Sequence, residues 1–171
     1  MSLQSRAVTM TKQMIQIEST DPGTYENTMA NWITSQLAPY PNVQLTRQEV
    51  LPGRPNLMAE LPGDPALPAL IMICHMDTVV VGDGWTLPPF EAIEKNGKIY
   101  GRGACDMKSG LACCLSAFQY AAEMLKTSGK TPKQTLKLIC SMDEEDFMRG
   151  SEACIPVSYT HLRAHETVLD L

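Results

Sequence analysis

Residues 70–78 have the sequence LIMICHMDT, in which an apolar run is followed at once by a histidine and an aspartate. The run at residues 70–74 has the length and the branching of a strand that is buried on both faces. His75 and Asp77 come directly after it, and the carboxyl end of a buried strand is where open α/β sheets hold their ligands. This segment therefore predicts a central strand with a functional site at its end.

Two more acidic segments follow along the chain. The sequence GRGACDMKSG at residues 101–110 carries a single acid, Asp106, just before a predicted helix, and DEED at residues 143–146 follows a second apolar strand. Gly101 and Gly103 allow the backbone to approach its neighbours closely, and the positive end of the helix dipole lies near the Asp106 carboxylate. Both segments therefore offer carboxylates to the site predicted at the end of the first strand.

The three segments together predict a metal site. Imidazole and carboxylate groups are ligands for Zn²⁺, so His75, Asp106 and one member of the pair Glu144 and Glu145 are candidate ligands. Neighbouring side chains of an extended backbone point to opposite faces, which leaves the other glutamate free to act as a base. Asp77 lies on the same side of the strand as His75, and we expect it to accept the proton of the ring nitrogen that does not bind metal.

Each of these signals has an ordinary alternative when it is taken alone. A histidine at the end of a strand is more often a hydrogen-bonded structural residue, and two adjacent glutamates are more often part of a solvated loop. The glycines at 101 and 103 also suggest a nucleotide-binding loop, but the third glycine is missing and Asp106 would repel a phosphate. The combination, in this order along the chain, favours the metal site.

The remaining periodicity predicts an α/β fold, with a mainly parallel, twisted sheet, helices on both faces and an antiparallel edge hairpin. Helical spacing of apolar residues and alternating strand patterns support it. The Asn96-Gly97 pair is typical of a two-residue hairpin turn. We expect helices at 3–17, at 25–37 and from 107 or 109 to about 126. Strands are expected at 43–50, 56–61, 70–74 and 134–141, with a hairpin at 91–100 and a functional loop at 79–90.

Composition excludes several classes of protein. The chain has 171 residues, is 44% hydrophobic and has a formal net charge of −5, and its basic residues are scattered, so a nucleic-acid partner is not expected. No apolar run approaches the roughly 20 residues that cross a bilayer, and the N-terminus lacks the apolar core of a secretory signal. The six cysteines form no C-x-x-C pair and are expected to be reduced thiols of a cytoplasmic protein.

Taken together, these motifs resemble those of the co-catalytic zinc metallopeptidases. The matching pattern is His75-x-Asp77, then GRGAxDMKxG at residues 101–110, then Asp143-Glu144-Glu145. That family includes acetylornithine deacetylase, succinyl-diaminopimelate desuccinylase, aminoacylase and carboxypeptidase G, and its members hydrolyse an amide bond next to an amino-acid carboxylate. The resemblance implies a zinc-exopeptidase-like catalytic domain that takes N-acyl amino acids or short peptides as substrates.

The resemblance also implies a role for each matched residue. His75 would bind one metal and Asp77 would orient it, while Asp106 would bridge two metals and precede a cis peptide bond. Glu145 would bind the second metal. Glu144 would be the general base that takes a proton from water and passes it to the leaving amine. The two divalent metals would be Zn²⁺, with Co²⁺ or Mn²⁺ able to occupy the same ligands.

The family resemblance runs from the first helix to about Cys154, so we assign residues 1–155 to the N-terminal part of the catalytic domain. Residues 156–171 do not resemble the family and look like the translation of a sequencing adapter, and His161 and His165 are therefore given no function. A lid domain and further ligands of the family have no match in this chain.

The 171-residue chain alone is expected to be inactive, and a non-catalytic α/β fragment that binds at most one metal weakly is the alternative reading. The full-length parent would act without a nucleic-acid or membrane partner, and it could form a homodimer.

Overall fold

The computed structural model describes residues 2–159, and the side chains as far as Ile155. The residues beyond 159 include His161 and His165, so the prediction that residues 156–171 lie outside the family domain falls mostly outside the described part. The helices and strands follow one another along the chain in this order: α1 Leu3–Ile15, β1 Thr20–Asp21, α2 Asn27–Leu37, β2 Gln44–Leu51, β3 Arg54–Leu61, β4 Leu70–His75, β5 Thr78–Val79, β6 Ile93–Lys95, β7 Lys98–Tyr100, α3 Lys108–Ser128, β8 Leu136–Ser141 and α4 Arg149–Tyr159.

The main sheet has four strands in the order β2-β3-β8-β4. The α/β class predicted from the sequence is confirmed, but the strand directions are mixed rather than mainly parallel. Strand β4 runs parallel to β8, whereas β2 with β3 and β3 with β8 are antiparallel. Strands β2 and β3 are joined by the tight turn at Pro52 and Gly53, and a connection this short can only join antiparallel strands.

The predicted hairpin is confirmed as the pair β6–β7, although it forms a separate two-stranded sheet and not an edge of the main one. Its turn residues Asn96 and Gly97 have φ values of 54° and 70°, as a two-residue hairpin turn requires. A third small sheet, the parallel pair β1–β5, joins Thr20 to Thr78 and was not predicted. Strands of two residues carry too little alternation to be recognised in a sequence.

The hydrophobic core lies between one face of the main sheet and helices α1, α2 and α3. Leu57, Ala59 and Leu61 alternate along β3 and point into this core, because successive side chains of a strand point to opposite faces. Helix α4 packs near Asn56 on the other face, so helices lie on both faces as predicted. Within residues 2–159, no helix combines the length and the apolar character needed to cross a membrane.

Strand β4 differs from its prediction as a strand that is buried on both faces. Leu70 is 62% exposed and Ile73 is 60% exposed. Within the described residues β4 lies at the edge of the sheet and has β8 as its one neighbour, so part of its apolar surface is left uncovered. Its last two residues, Cys74 and His75, are nevertheless buried.

The pairing of β4 with β8 determines where the predicted site lies in the fold. His75 pairs with Ser141 at the ends of these two parallel strands. The segments that follow them, which carry Asp77 and Glu144, therefore leave the sheet at the same edge. Residues 101–107 lead into α3 and bring Asp106 to this edge, where it contacts His75.

Candidate metal centre

The ring of His75 is held in one orientation. Its Nδ1 lies 3.0 Å from the backbone carbonyl oxygen of Asp77, and since a carbonyl can only accept, Nδ1 carries the proton and donates it. In the neutral ring, Nε2 is then the nitrogen with a free lone pair. It lies 3.1 Å from Oδ1 of Asp106 and so points into the group of carboxylates.

Asp77 is fully buried and contacts His75 mainly through its backbone. One carboxylate oxygen lies 3.6 Å from Nδ1 of His75, while the other accepts a 2.9 Å hydrogen bond from the backbone N–H of Glu145. Burial by itself would raise the pKa of Asp77, but the interactions with His75 and with the N–H groups of Glu145 and Glu144 lower it below its ordinary value. The Asp77 carboxylate therefore connects the end of β4 to the segment after β8.

Asp106 reaches the site through a tightly packed backbone. Gly103 has a φ of 77°, and a Cβ at this position would lie 2.7 Å from Cγ2 of Thr78 and 2.9 Å from Cδ of Lys108. The N–H of Lys108 donates to the carbonyl of Gly103 at 2.9 Å as α3 begins. The peptide bond between Asp106 and Met107 is cis, which confirms the expectation from the family resemblance.

Glu144 and Glu145 both approach the site. Residues 144–147 form a turn, so the premise of an extended backbone that separates the two side chains is wrong. Oε2 of Glu144 lies 3.6 Å from Nε2 of His75. A carboxylate oxygen of Glu145, one of Asp106 and a ring nitrogen of His75 all lie within 4.8 Å of one another. The sequence could not distinguish this turn from a continued strand, because the acidic residues carry no periodicity.

The electrostatics of this cluster favour a cation. Burial would lower the pKa of His75, but the neighbouring carboxylates of Asp77, Asp106 and Glu144 raise it to about 9. Burial raises the pKa of Glu145, and the nearby acids Asp106, Asp77 and Glu144 raise it further, against the opposing effect of His75. The carboxylates are thus short of positive charge, and either a protonated imidazole or a metal ion can supply it.

The donor set therefore fits a divalent cation, with one imidazole nitrogen and two carboxylates on separate segments. Two other acidic groups within the described residues have similar spacing, Asp21 with Asp143 and Asp146, and Asp21 with Glu26 and Asp77. These groups contain no imidazole. A buried arginine already pairs with Asp21, Glu26 and Asp143, so the cluster around His75 is the better candidate.

That arginine is Arg54, the first residue of β3, and no sequence motif pointed to it. It is buried, and its guanidinium pairs with both oxygens of Glu26 at 2.9 and 2.6 Å, with Asp21, and with Oδ1 of Asp143 at 3.2 Å. Hydrogen bonds from Arg149 lower the pKa of Asp143 to about 2. The only signal in the sequence was a charged residue at the start of an otherwise apolar strand, which is not specific.

Asn56, two residues further along β3, binds both ends of the loop that connects β8 to α4. Its side-chain oxygen accepts from the N–H of Met142 at 3.0 Å, and its NH₂ group donates to the carbonyl of Gly150 at 2.8 Å. Gly150 must be a glycine because a Cβ there would lie 2.2 Å from the carbonyl oxygen of Met142. The loop that carries Glu144 and Glu145 is therefore fixed at both of its ends.

Sequence comparison shows which proteins share these segments. The chain is 37% identical over 108 residues to a probable succinyl-diaminopimelate desuccinylase of Staphylococcus aureus, which covers 62% of this chain and 26% of the relative. It is 45% identical over 92 residues to the succinyl-diaminopimelate desuccinylase of Gluconacetobacter diazotrophicus, covering 53% of this chain and 22% of the relative. The chain thus spans about a quarter of the length of the curated relatives that it matches.

Solved structures share the fold. A di-peptidase from Saccharomyces cerevisiae matches 94% of this chain and 37% of its own, with a TM-score of 0.74 and 17% identity. An M20 family metallo-carboxypeptidase from Sulfolobus solfataricus matches 92% of this chain and 35% of its own, with a TM-score of 0.73 and 24% identity. Residues 71–169, more than half of the sequence and including His75, match the model of peptidase family M20/M25/M40. The chain therefore belongs to this family.

Proposed function

We propose that this chain carries part of the active site of a metal-dependent hydrolase that cleaves the amide bond of N-acyl amino acids or short peptides. The observation that carries the proposal is the convergence of His75, Asp106 and Glu145 within 4.8 Å, with Glu144 beside them. The curated relatives are desuccinylases, and the similar solved structures include dipeptidases, so both substrate classes belong to the proposal. We also propose that the complete protein is located in the cytoplasm and forms a homodimer.

We assign the metal ligands from the donor set. Asp106 would bridge two cations, with His75 on one of them and Glu145 on the other. Zinc is the proposed metal because a mixed set of imidazole and carboxylate ligands suits it, and Co²⁺ or Mn²⁺ would bind to the same groups. When bound, the cations would polarise the scissile carbonyl and make water more acidic.

The protein groups around the ligands have separate tasks in this proposal. The Asp77 carbonyl fixes the proton of His75 on Nδ1, so that Nε2 remains available for the metal. The Asp77 carboxylate holds the backbone N–H of Glu145 and so fixes the start of the acidic turn. Glu144 is half-exposed, and in this position its carboxylate would take a proton from water and later give it to the leaving amine.

A second candidate function applies to the 171-residue chain by itself, namely metal binding without turnover. Its three proposed ligands would leave two cations with too few anionic groups to offset their repulsion. We expect this chain to bind about one zinc ion and to show no hydrolysis of N-succinyl or N-acetyl amino acids. The test is a zinc titration of the chain combined with both assays, with the complete gene product assayed in parallel.

The outcomes of this test separate the two candidates. Metal-dependent hydrolysis by the complete gene product would support the main proposal. Turnover by the 171-residue chain at a comparable rate would exclude the non-catalytic reading of that chain. Failure of both proteins to bind zinc, cobalt or manganese would exclude the metal-dependent function altogether.

Metal affinity should depend on pH because His75 must lose a proton before it binds. Its pKa of about 9 in the metal-free protein lies above neutrality, so the protonated form predominates at pH 7. We expect the apparent affinity to rise about tenfold per pH unit below pH 9 and to level off above it. Calorimetric titrations in buffers of different ionisation enthalpy should detect about one proton released per zinc ion at pH 7. An affinity that is independent of pH over this range would contradict the assignment of His75 as a ligand.

Asp77→Asn should weaken zinc binding by about tenfold, near the lower end of the roughly 10–100-fold typical of residues that support a ligand. The effect is at the lower end because the backbone carbonyl that receives the Nδ1 proton is unchanged, while the negative charge is lost. A chelator competition assay on the folded variant measures this change. Asp64→Asn, in the loop before β4, is the matched control and should bind zinc as the wild type does. Unchanged affinity in Asp77→Asn would leave Asp77 without a role in metal binding.

A further inference from the structure

Arg54 occupies an unusual position for a charged residue. It begins β3 and is 7% exposed, with its guanidinium stacked over the ring of Tyr25 at 4.2 Å from the ring centroid. Nε and Nη2 bind the two oxygens of Glu26 at 2.9 and 2.6 Å, which is the bidentate geometry of strong arginine–carboxylate pairs. Nη2 also contacts Asp21 and Asp143. One cation is thus shared by three buried carboxylates.

These three carboxylates belong to segments that adjoin the metal centre. Asp143 comes directly before Glu144 and Glu145, and its backbone N–H donates to Oε1 of Glu26 at 3.1 Å. Asp21 belongs to β1, which pairs with β5 just beyond Asp77. Carboxylate oxygens of Asp21, Glu26 and Asp77 also lie within 4.8 Å of one another. Arg54 therefore contacts the segment that follows β8 directly, through Asp143. It contacts the segment that follows β4 indirectly, through Asp21 of β1, which pairs with β5.

Arg149 does not duplicate this arrangement. It binds both oxygens of Asp143 at 2.6 Å, but its side chain is 37% exposed, and among the described residues its side chain donates to Asp143 alone. Without Arg54, the carboxylates of Asp21 and Glu26 would lie within 4.8 Å of each other in the protein interior without the cation that they now share. Like charges that are buried this close repel strongly, so the segments that bear them would move apart.

We propose that Arg54 is a positioning residue of the metal centre, which holds the turn bearing Glu144 and Glu145 in register with His75 by joining Asp143 to Asp21 and Glu26. This inference rests on the proposed function for its metal readout, but its structural part does not. Arg54 touches neither the proposed ligands nor the substrate, so it acts through Asp143 and Glu26. Its effect should appear in the order of the turn and in the affinity for metal.

The test compares Arg54→Met, Arg54→Lys and a control that destabilises the core away from the site, Ile33→Ala, in the 171-residue chain. Hydrogen exchange should show that the amides of Asp143 and Glu145, which donate to Glu26 and Asp77, exchange at least tenfold faster in Arg54→Met than in the control. Zinc affinity, measured by chelator competition, should fall by about 10–100-fold in Arg54→Met. Arg54→Lys should be intermediate in both measurements, since lysine keeps the charge but cannot make the bidentate contact.

Each outcome bears on the proposal separately from the proposed function. If the two amides in folded Arg54→Met exchange as in Ile33→Ala, Arg54 does not position the turn and the inference is wrong. The inference is also wrong if the wild type binds zinc and Arg54→Met binds it equally well. If the two amides lose protection but the wild type binds no metal, the positioning of the turn stands and the metal-dependent function fails.

Discussion

Glu144→Gln is expected to abolish hydrolysis while the metal content remains near that of the wild type. The substitution keeps the shape of the side chain and removes the carboxylate that we propose as the general base, a group that contributes typically 10²–10⁴-fold to the rate. In the structure Glu144 lies beside His75 at 3.6 Å but outside the group formed by His75, Asp106 and Glu145. Turnover of N-succinyl and N-acetyl amino acids by the complete gene product, measured together with its bound zinc, checks both halves of this expectation.

The control for this variant is Glu123→Gln. Glu123 lies on α3, where it is exposed and pairs with Arg6 at 3.4 Å, so its substitution should change neither activity nor metal content. Glu144→Gln protein that retains more than about a tenth of the wild-type rate would exclude Glu144 as the base. Glu144→Gln protein that loses its metal would instead make Glu144 a ligand.

Glu145→Gln is expected to lose metal as well as activity. Its carboxylate shares the 4.8 Å group with His75 and Asp106, and a neutral amide replaces an anionic oxygen donor poorly. The loss in affinity should exceed the roughly 10–100-fold that follows removal of a supporting residue. Zinc retained after dialysis against a weak chelator, compared between the variant and the wild type, measures the effect.

Comparison of the two glutamate variants tests the division of roles independently of either result alone. Equal metal loss in both variants would show that both carboxylates bind metal. The structure allows this result, because both side chains lie near His75. The reverse pattern, with metal lost in Glu144→Gln and kept in Glu145→Gln, would exchange the two roles. Since the backbone N–H of Glu145 is held by Asp77 in either case, neither substitution should disturb the turn itself.

Much of the fold was predictable because its elements are set by local patterns. Helix α3 and strand β8 follow from apolar spacing, and the hairpin turn follows from Asn96-Gly97, whose positive φ values the structure confirms. The bounds of β3 and α2 differ from prediction by two residues at their starts, where capping and turn residues overlap. The direction of the strands was less predictable, because direction depends on connections and partners and not on alternation within a strand.

The candidate site was predictable as a set of residues but not as a geometry. His75, Asp77, Asp106 and the two glutamates were identified by their motif and by their positions at strand ends, and the structure places them together. The sequence missed that Asp77 orients His75 through its backbone carbonyl, and that Glu144 and Glu145 lie in a turn. Both features depend on backbone torsions in segments with no periodic signal.

By itself, the sequence determined the α/β class, the order of the longer elements from α1 to β8 and the chemical identity of the side chains at the site, because apolar runs and the residues that end them are local information. Only the tertiary structure decided that the turn is held from below by Arg54 and Asn56, and that β4 is an exposed edge. Arg54 meets its partners from β1, from the segment before α2 and from the segment after β8. A buried charge is stabilised by whichever opposite charges the fold brings to it, and these lie too far apart in the chain for any local pattern to connect.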